Sequence, residues 1–267
     1  MARRWTEKEE KEKRKELKNL YVKENKTISE IGDILHIGQS TVHQRLIRLN
    51  IPVDPSRKLH YRNIQYSVKL RKYYSNKLAE FIGIMLGDGH ISHTQVTVTL
   101  GSKEDEYVQY VSKLMNEIFN TNSRICIRRT GYKVVYIGSV LAVKWLETMG
   151  LTHNKVKYQV DVPKWIFTKD SYIKNAIRGL IDTDGSVYKL KFGVQISFCN
   201  NSQPLLNSAR LMLIKLGFHP SKICNNKQFY LTRQQDLKKF FKEIGFSNSK
   251  HYRRFIDFIK NNGQMSE

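Results

Sequence analysis

The chain has 267 residues, enough for two or three compact units with a real hydrophobic interior. Its 46 Lys and Arg residues outnumber 24 Asp and Glu, and the formal charge of +22 indicates a polyanionic partner. Charge alone leaves DNA, ribosomal RNA and an anionic membrane surface as alternatives. No stretch approaches the ~20 apolar residues of a membrane span, and no signal peptide opens the sequence. We therefore expect a soluble intracellular protein of the cytoplasm, the nucleoid or an organelle matrix.

The three cysteines are odd in number and lack CxxC spacing. This pattern argues against a disulfide framework and against a zinc ribbon. We expect Cys126, Cys199 and Cys224 to be reduced thiols in packed strands.

Residues 1–54 predict a small all-α domain. Residues 1–26 mix Lys and Glu on a helix with a sparse apolar stripe of Trp5, Leu17, Leu20 and Tyr21. Two further helical faces follow between Thr27 and Leu49, formed by Ile31, Ile34 and Leu35 and then by Val42, Leu46 and Leu49. Glycine at Gly38 suits the turn between them because it adopts positive φ at low cost. The pattern resembles a helix-turn-helix, and a helical hairpin that only packs on a partner or on the main body is the alternative.

The second helix of this pair is the one expected to contact DNA. Its polar side chains are of types that bind base edges and phosphates in a major groove. The predicted contacts are Gln39, Ser40, Thr41, His43, Gln44, Arg45 and Arg48.

Residues 55–77 are predicted to form a basic linker. Between residues 51 and 77, seven Lys or Arg and four interleaved Tyr accompany a single acid. Such a segment can follow a phosphate backbone, and a plain solvated linker is the alternative. The predicted contacts are Arg57, Lys58, Arg62, Lys69, Arg71 and Lys72.

An internal repeat organises the rest of the chain, because two halves match at an offset of 95 to 98 residues. FIGIMLGDGHI (81–91) corresponds to IRGLIDTDGSV (177–187), and VKWLETMGLTHNK (143–155) corresponds to LKKFFKEIGFSNSK, which ends at Lys250. After each motif we predict a strand pair, a helix (104–119 and 202–217), a second strand pair (123–137 and 221–232) and a last helix (139–149 and 234–244). The fold is therefore expected to be α+β, with two antiparallel units at 78–170 and 171–262 in the order αββαββα.

Each motif predicts a helix that ends in Asp-Gly. Small residues spaced four apart line one face of each helix, Gly83 and Gly87 in the first and Gly179 and Thr183 in the second. Packed closely and in the same direction, the helices would bring Asp88 and Asp184 together. A carboxylate at a helix C-terminus costs ~0.3–1 kcal/mol, and a second one adds repulsion. A divalent cation would reverse both effects, so we predict a Mg²⁺ site at Asp88, Asp184, Gly87 and Thr183, with Mn²⁺ able to substitute.

Phosphodiester hydrolysis is the chemistry that such a site fits, because a metal ion activates water and stabilises the leaving 3′ oxygen. One carboxylate per repeat would give one cut per strand. Lys155 and Lys250, at matching positions, are candidate catalytic residues that stabilise developing charge or tune the water, and simple phosphate contact is the alternative. Asp182, two residues before Asp184, is expected to be a surface or hydrogen-bonding group.

FIGIMLGDG and IRGLIDTDG resemble the two signature motifs of the LAGLIDADG homing endonucleases, and the resemblance covers residues 75–260. It implies two pseudo-symmetric halves that form a saddle on DNA, with Asp88 and Asp184 binding Mg²⁺. It also implies cleavage of long, asymmetric duplex DNA sites by a monomer without an obligate protein partner. The first motif departs from the signature at Leu86 and Gly87. Because the sequence starts with Met and ends in NNGQMSE, we expect a freestanding or intron-encoded enzyme rather than an intein.

In this interpretation, strand residues of both halves read bases through the groove, although a one-residue error would exchange the two faces of a strand. Two alternatives remain, a non-cleaving transcription regulator of the same fold and an RNA-binding intron splicing factor. The predicted base contacts are Thr97, Thr99, Arg128, Arg129 and Lys133 in the first half and Gln195, Ser197, Lys227, Gln228 and Arg233 in the second.

Overall fold

The computed structural model describes residues 6–53, 65, 67–70, 73–190 and 193–260. The chain divides into an N-terminal unit, Met1–Arg62, and a larger unit, Asn63–Glu267. Among the described residues, no helix is long and apolar enough to cross a membrane. Several residues singled out in the sequence lie outside the described ranges, namely Trp5, Arg57, Lys58, Arg62, Arg71 and Lys72.

In the described part of the N-terminal unit, residues 6–53, there are three α-helices, α1 (Glu7–Lys18), α2 (Ile28–Ile34) and α3 (Gln39–Arg48), with a turn of π-helix (Asn19–Lys23) after α1. Capping boxes begin α1 and α2, where Thr6 and Thr27 exchange hydrogen bonds with the glutamates three residues later. The unit has a core of its own, as an all-α region requires, made of Leu17, Tyr21, Ile28, Ile31, Val42, Leu46, Leu49 and Ile51.

The turn between α2 and α3 differs from the prediction. Gly38 has φ −64°, and the positive φ of the turn belongs to His36, at 52°. Gly32 is the glycine that this turn requires, because a Cβ there would lie 2.8 Å from the carbonyl oxygen of Ile37. Ile34 was wrongly placed on the buried face. It is the last residue of α2, where the chain turns away from the core, and it is 48% exposed.

The first half of the larger unit has the predicted order αββαββα. Its strands are β1 (Gly89–Ile91), β2 (Gln95–Leu100), β3 (Arg124–Ile127) and β4 (Lys133–Gly138). They form one antiparallel sheet in the order β1-β2-β4-β3. In β2, buried Val96, Val98 and Leu100 alternate with polar residues on the accessible face. The elements are α4 (Asn76–Leu86), β1 (Gly89–Ile91), β2 (Gln95–Leu100), α5 (Asp105–Phe119), β3 (Arg124–Ile127), β4 (Lys133–Gly138) and α6 (Val140–Glu147).

The second half repeats this order with one strand fewer among the described residues. Its strands β5 (Gly185–Leu190), β6 (Gly193–Cys199) and β7 (Gln228–Leu231) form an antiparallel sheet in the order β5-β6-β7. The predicted strand pair at 221–232 is wrong in its first member, because Asn225 and Asn226 turn the chain with φ 52° and only Cys224 bridges to Gln228. After a 3-10 turn (Lys164–Thr168), the elements are α7 (Asp170–Asp184), β5 (Gly185–Leu190), β6 (Gly193–Cys199), α8 (Gln203–Lys215), β7 (Gln228–Leu231), α9 (Gln234–Glu243) and α10 (Ser249–Lys260).

One continuous core joins the two halves, and α4 and α7 run through it. In α4 every residue from Leu78 to Leu86 is buried, including Glu80. A helix covered on all sides in this way belongs at the centre of a fold rather than on its surface. The two motif helices therefore form the axis on which both halves are built.

The cysteines are free thiols, as predicted, but they are not packed in the core. Cys126 and Cys199 are exposed, and Cys224 is half-buried. Cys126 pairs with Val134, which pairs in turn with Thr99, so its side chain shares the accessible face of the first sheet.

Candidate active site

Close packing of α4 against α7 builds the candidate site. A Cβ placed on Gly83 would overlap the carbonyl oxygen of Ala176, and one placed on Gly179 would overlap that of Glu80. Glu80 and Ala176 occupy matched positions of the repeat, so the two contacts are related by its pseudo-twofold symmetry. The helices run in the same direction with their backbones in contact, as their small residues predict.

Asp88 and Asp184 meet where these helices end. A Cβ on Gly87 would lie 3.4 Å from the carboxyl carbon of Asp184. Burial, and next the Asp184 carboxylate, raise the pKa of Asp88 to about 6, and the Lys155 and Lys250 ammonium groups oppose the rise. The site therefore holds two acidic groups under mutual repulsion.

Asp184 has a fixed hydrogen-bond donor in Asn200, whose Nδ2 lies 2.6 Å from Asp184 Oδ2. Burial raises the pKa of Asp184, while the Asn200 bond and the Lys155 charge lower it. The amide of Asn200 is oriented in turn, because its Oδ1 accepts from the backbone N–H of Ser202 at 2.7 Å. Sequence reasoning missed Asn200. The available signal was the repeat itself, which also matches VTVTLGS (96–102) to VQISFCN (194–200) and so places Asn200 opposite Ser102.

Lys155 lies at the C-terminus of α4. Its Nζ donates to the carbonyl oxygens of Met85 at 3.2 Å, Leu86 at 3.1 Å and Gly87. A cation in this position offsets the negative end of the helix dipole. Burial lowers the pKa of Lys155, and the two aspartate carboxylates raise it. The structure thus brings this lysine to the aspartate pair.

Lys250 is placed differently from its sequence match. Its Nζ lies 3.3 Å from Glu104 Oε1, and at the end of α7 the carbonyl oxygen of Asp182 accepts instead from Asn248 Nδ2 at 3.1 Å. Asp182 itself is 2% exposed and accepts from the backbone N–H of Ser247 at 2.8 Å. Its predicted hydrogen-bonding role is confirmed, whereas a surface position is wrong because the helix is buried from Gly179 to Asp182.

Two carboxylates form the donor set of the site. The Thr183 hydroxyl lies 2.9 Å and 3.1 Å from carbonyl oxygens of its own helix, and the Gly87 carbonyl accepts from Lys155, so neither predicted position adds an open ligand. In the part of the chain that the structure describes, no cluster of three or more His, Cys, Asp or Glu could hold a metal. Asp88 and Asp184 still fit Mg²⁺, which commonly takes one or two carboxylates together with water and phosphate oxygens.

Four of the predicted base contacts lie on the accessible faces of the two sheets. Thr97 and Thr99 alternate with buried residues on β2, and Gln195 does so on β6, where Ser197 has the same register face but is buried. The remaining positions border these faces at strand ends and turns, with Arg128, Arg129, Lys227 and Arg233 exposed and Gln228 half-buried.

Lys133 does not share this face. It pairs in register with Leu100, whose side chain points into the core. Its own side chain is 14% exposed and forms an ion pair with Asp105. The prediction assigned Lys133 to the wrong side of β4, which is the error that a shift of one residue produces.

The predicted contacts of the N-terminal unit all lie on α3, and none of them is buried. Ser40, Gln44 and Arg48 are exposed, while Gln39, Thr41, His43 and Arg45 are half-buried. Gln39 donates to the Ser29 hydroxyl at 2.8 Å, and Arg48 pairs with Glu10 at 3.0 Å. In the larger unit, Lys69 is exposed.

Two α+β repeats on one chain, joined by parallel helices that each bring an aspartate to a shared point, define a pseudo-symmetric two-repeat protein. The family model described as LAGLIDADG-like domain matches residues 75–150 and 171–245. Because these matches cover both repeats and more than half of the chain, the protein belongs to the LAGLIDADG-like family.

Curated relatives share a segment with this chain. This chain is 24% identical to a replication factor C small subunit of Methanocaldococcus jannaschii over 193 residues. The aligned segment is 70% of this chain and 10% of the relative. The chain is also 24% identical to a glutamine-fructose-6-phosphate aminotransferase of the same organism over 200 residues, which is 71% of this chain and 18% of the relative. The chain therefore spans less than a fifth of the length of these relatives.

Two solved structures are similar at low identity. The N-terminal LAGLIDADG domain of WhiA shares 14% identity at a TM-score of 0.46, over 66% of this chain and 86% of that one. Mesophilic variants of the homing endonuclease I-DmoI share 16% identity at a TM-score of 0.47, over 64% of this chain and 95% of that one. The family assignment depends on the matched repeats and not on these likenesses.

Proposed function

We propose that this protein is a Mg²⁺-dependent, site-specific homing endonuclease that cuts both strands of duplex DNA as a monomer. The observation that carries the proposal is the meeting of Asp88 and Asp184, one from each repeat, at the ends of two parallel helices. Without a ligand this arrangement is unfavourable, because burial disfavours ionisation and like charges repel. A divalent cation removes both penalties, which explains why the fold brings the two carboxylates together.

Asp88 and Asp184 would hold the cation, and Mn²⁺ is expected to substitute for it. When bound, Mg²⁺ supplies Lewis-acid stabilisation of phosphate oxygens and lowers the pKa of water. Asn200 orients the Asp184 carboxylate through its 2.6 Å hydrogen bond. Lys155 supplies a positive charge beside both carboxylates, where it stabilises the negative charge that develops on the phosphate during hydrolysis. One carboxylate from each repeat matches the two strands of a duplex.

The accessible faces of the two sheets are the proposed DNA interface. Hydroxyl and amide groups of Thr97, Thr99, Gln195 and Ser197 are suited to base edges in a major groove. Arg128, Arg129, Lys227 and Arg233 border these faces, where cations contact phosphates and fix the register of a protein on the duplex. The formal charge of +22 supports a polyanionic partner of this kind.

We also propose that α2 and α3 form a helix-turn-helix whose second helix enters a major groove. The exposed Ser40, Gln44 and Arg48 on α3 support this assignment. A second DNA-binding unit would lengthen the footprint beyond the two repeats, and the target would then be long and asymmetric.

The test is a cleavage selection from a randomised duplex library with Mg²⁺. Wild-type protein, an Asp88→Asn, Asp184→Asn double variant and an Asp170→Asn control are compared by sequencing the cut ends. Asp170 is an exposed carboxylate at the opposite end of α7, so the control changes the same residue type outside the proposed site. We expect the wild type and the control to cut one long motif on both strands, and the double variant to bind the motif without cutting it.

Two results would refute the endonuclease proposal and point to the alternatives. Enrichment of bound duplexes with no cut ends in any of the three proteins indicates a DNA-binding regulator. No binding of duplex DNA, together with binding of a structured RNA, indicates a splicing factor.

A further inference from the structure

The segment between α9 and α10 contains Asn248, whose buried side-chain amide has hydrogen-bond partners at both its nitrogen and its oxygen. The residue is 1% exposed. Its Nδ2 donates to Glu104 Oε1 at 3.2 Å and to the carbonyl oxygen of Asp182 at 3.1 Å. Its Oδ1 accepts from the backbone N–H of Lys250 at 3.0 Å. One side chain therefore links the last turn of α7, the start of α5 in the first repeat and the start of α10.

Glu104 is a fixed anchor for Lys250. Its Oε2 accepts from the backbone N–H of Gly101 at 2.7 Å, and its Oε1 receives both Asn248 and the Lys250 ammonium, the latter at 3.3 Å. Burial alone would raise the pKa of Glu104, but the bonds from Asn248 and Gly101 and the charge of Lys250 lower it overall. Lys250, a residue of the second repeat, is thus held on an ionised carboxylate of the first.

The matched positions in the first repeat are arranged differently. His153 stands opposite Asn248 in the repeat, and its exposed ring packs edge-on against Tyr158. Lys155 stands opposite Lys250 and remains on α4, the motif helix of its own repeat. Lysines that match in sequence therefore reach the site by different routes, and only the second route depends on a buried amide.

Lys250 is held on the Asp88 side of the site. The strand that returns beside Asp88 leads to its anchor, because the backbone N–H of Thr99 donates to the carbonyl oxygen of Asp88 at 3.2 Å and that of Gly101 donates to Glu104 Oε2 at 2.7 Å. Lys155 donates to carbonyl oxygens at the end of α4, the helix that leads into Asp88. Lysines of both repeats are thus anchored on the segments that carry Asp88.

We propose that Asn248 is a positioning residue that carries Lys250 across to the first repeat, where Lys250 completes the Asp88 half of the site. The proposal rests on the proposed endonuclease function for its effect on cleavage, and on Glu104 and Asn248 alone for the placement of Lys250. If each carboxylate serves one DNA strand, loss of Asn248 slows one strand and spares the other.

The experiment compares Asn248→Ala, Lys250→Ala and a His153→Ala control at the matched position. Trace acetylation by acetic anhydride, read by mass spectrometry, reports the environment of Lys250 without any cleavage. We expect Asn248→Ala to raise the acetylation of Lys250 severalfold and to leave that of Lys155 unchanged, because Lys250 loses the amide that fixes its backbone beside Glu104. A merely structural defect would raise the reactivity of both lysines.

Strand-resolved cleavage of a doubly labelled duplex gives the second measurement. Asn248→Ala is expected to slow one strand about 10- to 100-fold, and it should be the strand slowed by Lys250→Ala, whereas His153→Ala cuts both at the wild-type rate. Equal slowing of both strands, or slowing of the opposite strand, overturns the proposal.

Glu104→Gln provides a second route should Asn248→Ala fail to fold, because it keeps the side-chain shape and removes the anchoring charge. It should also raise Lys250 acetylation, and an unchanged value overturns the proposal. A wild-type protein that cuts no duplex refutes the endonuclease function, and acetylation then decides the placement of Lys250 by itself.

Discussion

The backbone of Gly83 lies directly against the carbonyl oxygen of Ala176, and no room for a β-carbon remains between them. The amide nitrogen of Leu180 would lie 3.0 Å from the same added carbon. Gly179 stands in the equivalent position against Glu80, with the amide nitrogen of Ile84 at 2.8 Å. Because the obstructing atoms belong to backbone, neither contact relaxes by a side-chain rotation, and any added carbon must separate the helices.

Alanine at Gly83 or Gly179 is therefore expected to destabilise the larger unit. Overpacking of a core by one carbon typically costs about 1–3 kcal/mol, and overlap with backbone places both variants at or above the upper end. Gln109→Ala, at an exposed position of α5, is the control and should change the free energy of unfolding by less than about 0.5 kcal/mol. Urea unfolding followed by circular dichroism measures all three. Glycine variants as stable as the control would contradict the close packing.

The close contact between α4 and α7 was predictable because it depends on the spacing of small residues, which the sequence gives directly. Small residues four apart fall on one face of any α-helix, where they let two helices approach closely. Because Gly83 and Gly179 occupy matched positions of the repeat, both motif helices have such a face. The same logic places Asp88 and Asp184 together without knowledge of any other contact. Alternation of apolar residues likewise identified the accessible face of β2, with Thr97 and Thr99.

Side-chain pairing across the two halves was not predictable. The partner of Lys250 is Glu104, 146 residues away, and no periodicity relates the two positions. Asn200 escaped notice for a similar reason, since its role depends on lying beside Asp184 after a strand has turned back. The predicted strand face of Lys133 was wrong because the assumed register of β4 was shifted by one residue. The repeat could not show that turn residues such as Asn225 leave the described part of the second sheet one strand short of the first.

The raised pKa of Asp88 predicts that its ionisation destabilises the fold in the absence of metal. The ordinary value of 3.8 applies in the unfolded chain and about 6 in the folded one, so the folded state binds more protons between about pH 4 and 6. Stability from this group is therefore present at low pH and is lost as pH rises through about 6. In chelator, Asp88→Asn should be more stable than wild type by about 3 kcal/mol near pH 7 and by little near pH 4.

The measurement is urea unfolding of both proteins over this pH range. Asp170→Asn, at an exposed carboxylate of α7, serves as the control and should show no pH-dependent difference of this kind. A constant difference between Asp88→Asn and wild type at all pH values would show that Asp88 ionises normally.

Mg²⁺ is expected to stabilise the folded protein through the same pair of carboxylates. An ion that binds only the folded state raises its stability by mass action, and here it also removes the repulsion between Asp88 and Asp184. Thermal unfolding with Mg²⁺ and with chelator should show a higher Tm in Mg²⁺ for wild type and no shift for the Asp88→Asn, Asp184→Asn variant. An equal shift in both proteins would mean that the ion binds elsewhere.

The cysteines provide a footprint of the proposed DNA interface. Cys126 shares the accessible face of the first sheet with Thr99, and Cys199 lies two residues beyond Ser197 on that of the second. Duplex DNA bound across these faces would exclude an alkylating reagent from them. Iodoacetamide labelling read by mass spectrometry should therefore slow severalfold at both thiols when the target duplex is bound with Ca²⁺ in place of Mg²⁺. Labelling at the free-protein rate would place the DNA on another surface.

The N-terminal unit is expected to add phosphate contacts to those of the repeats. It has its own hydrophobic core and capped helices, so a chain that begins at residue 63 keeps the larger unit intact.

Each phosphate contact contributes about 0.9 to the slope of log K against log salt for duplex DNA. If Arg45 and Arg48 of α3 both reach phosphates, the truncated protein should bind more weakly, with a slope shallower by at least about 2, because truncation also removes Arg57, Lys58 and Arg62. Fluorescence anisotropy of a labelled duplex over a range of salt concentrations measures both quantities, and the Arg45→Ala, Arg48→Ala full-length variant separates loss of these contacts from loss of the whole unit. An unchanged slope in the truncated protein would assign all phosphate contacts to the two repeats, and α3 would then have no part in binding the backbone.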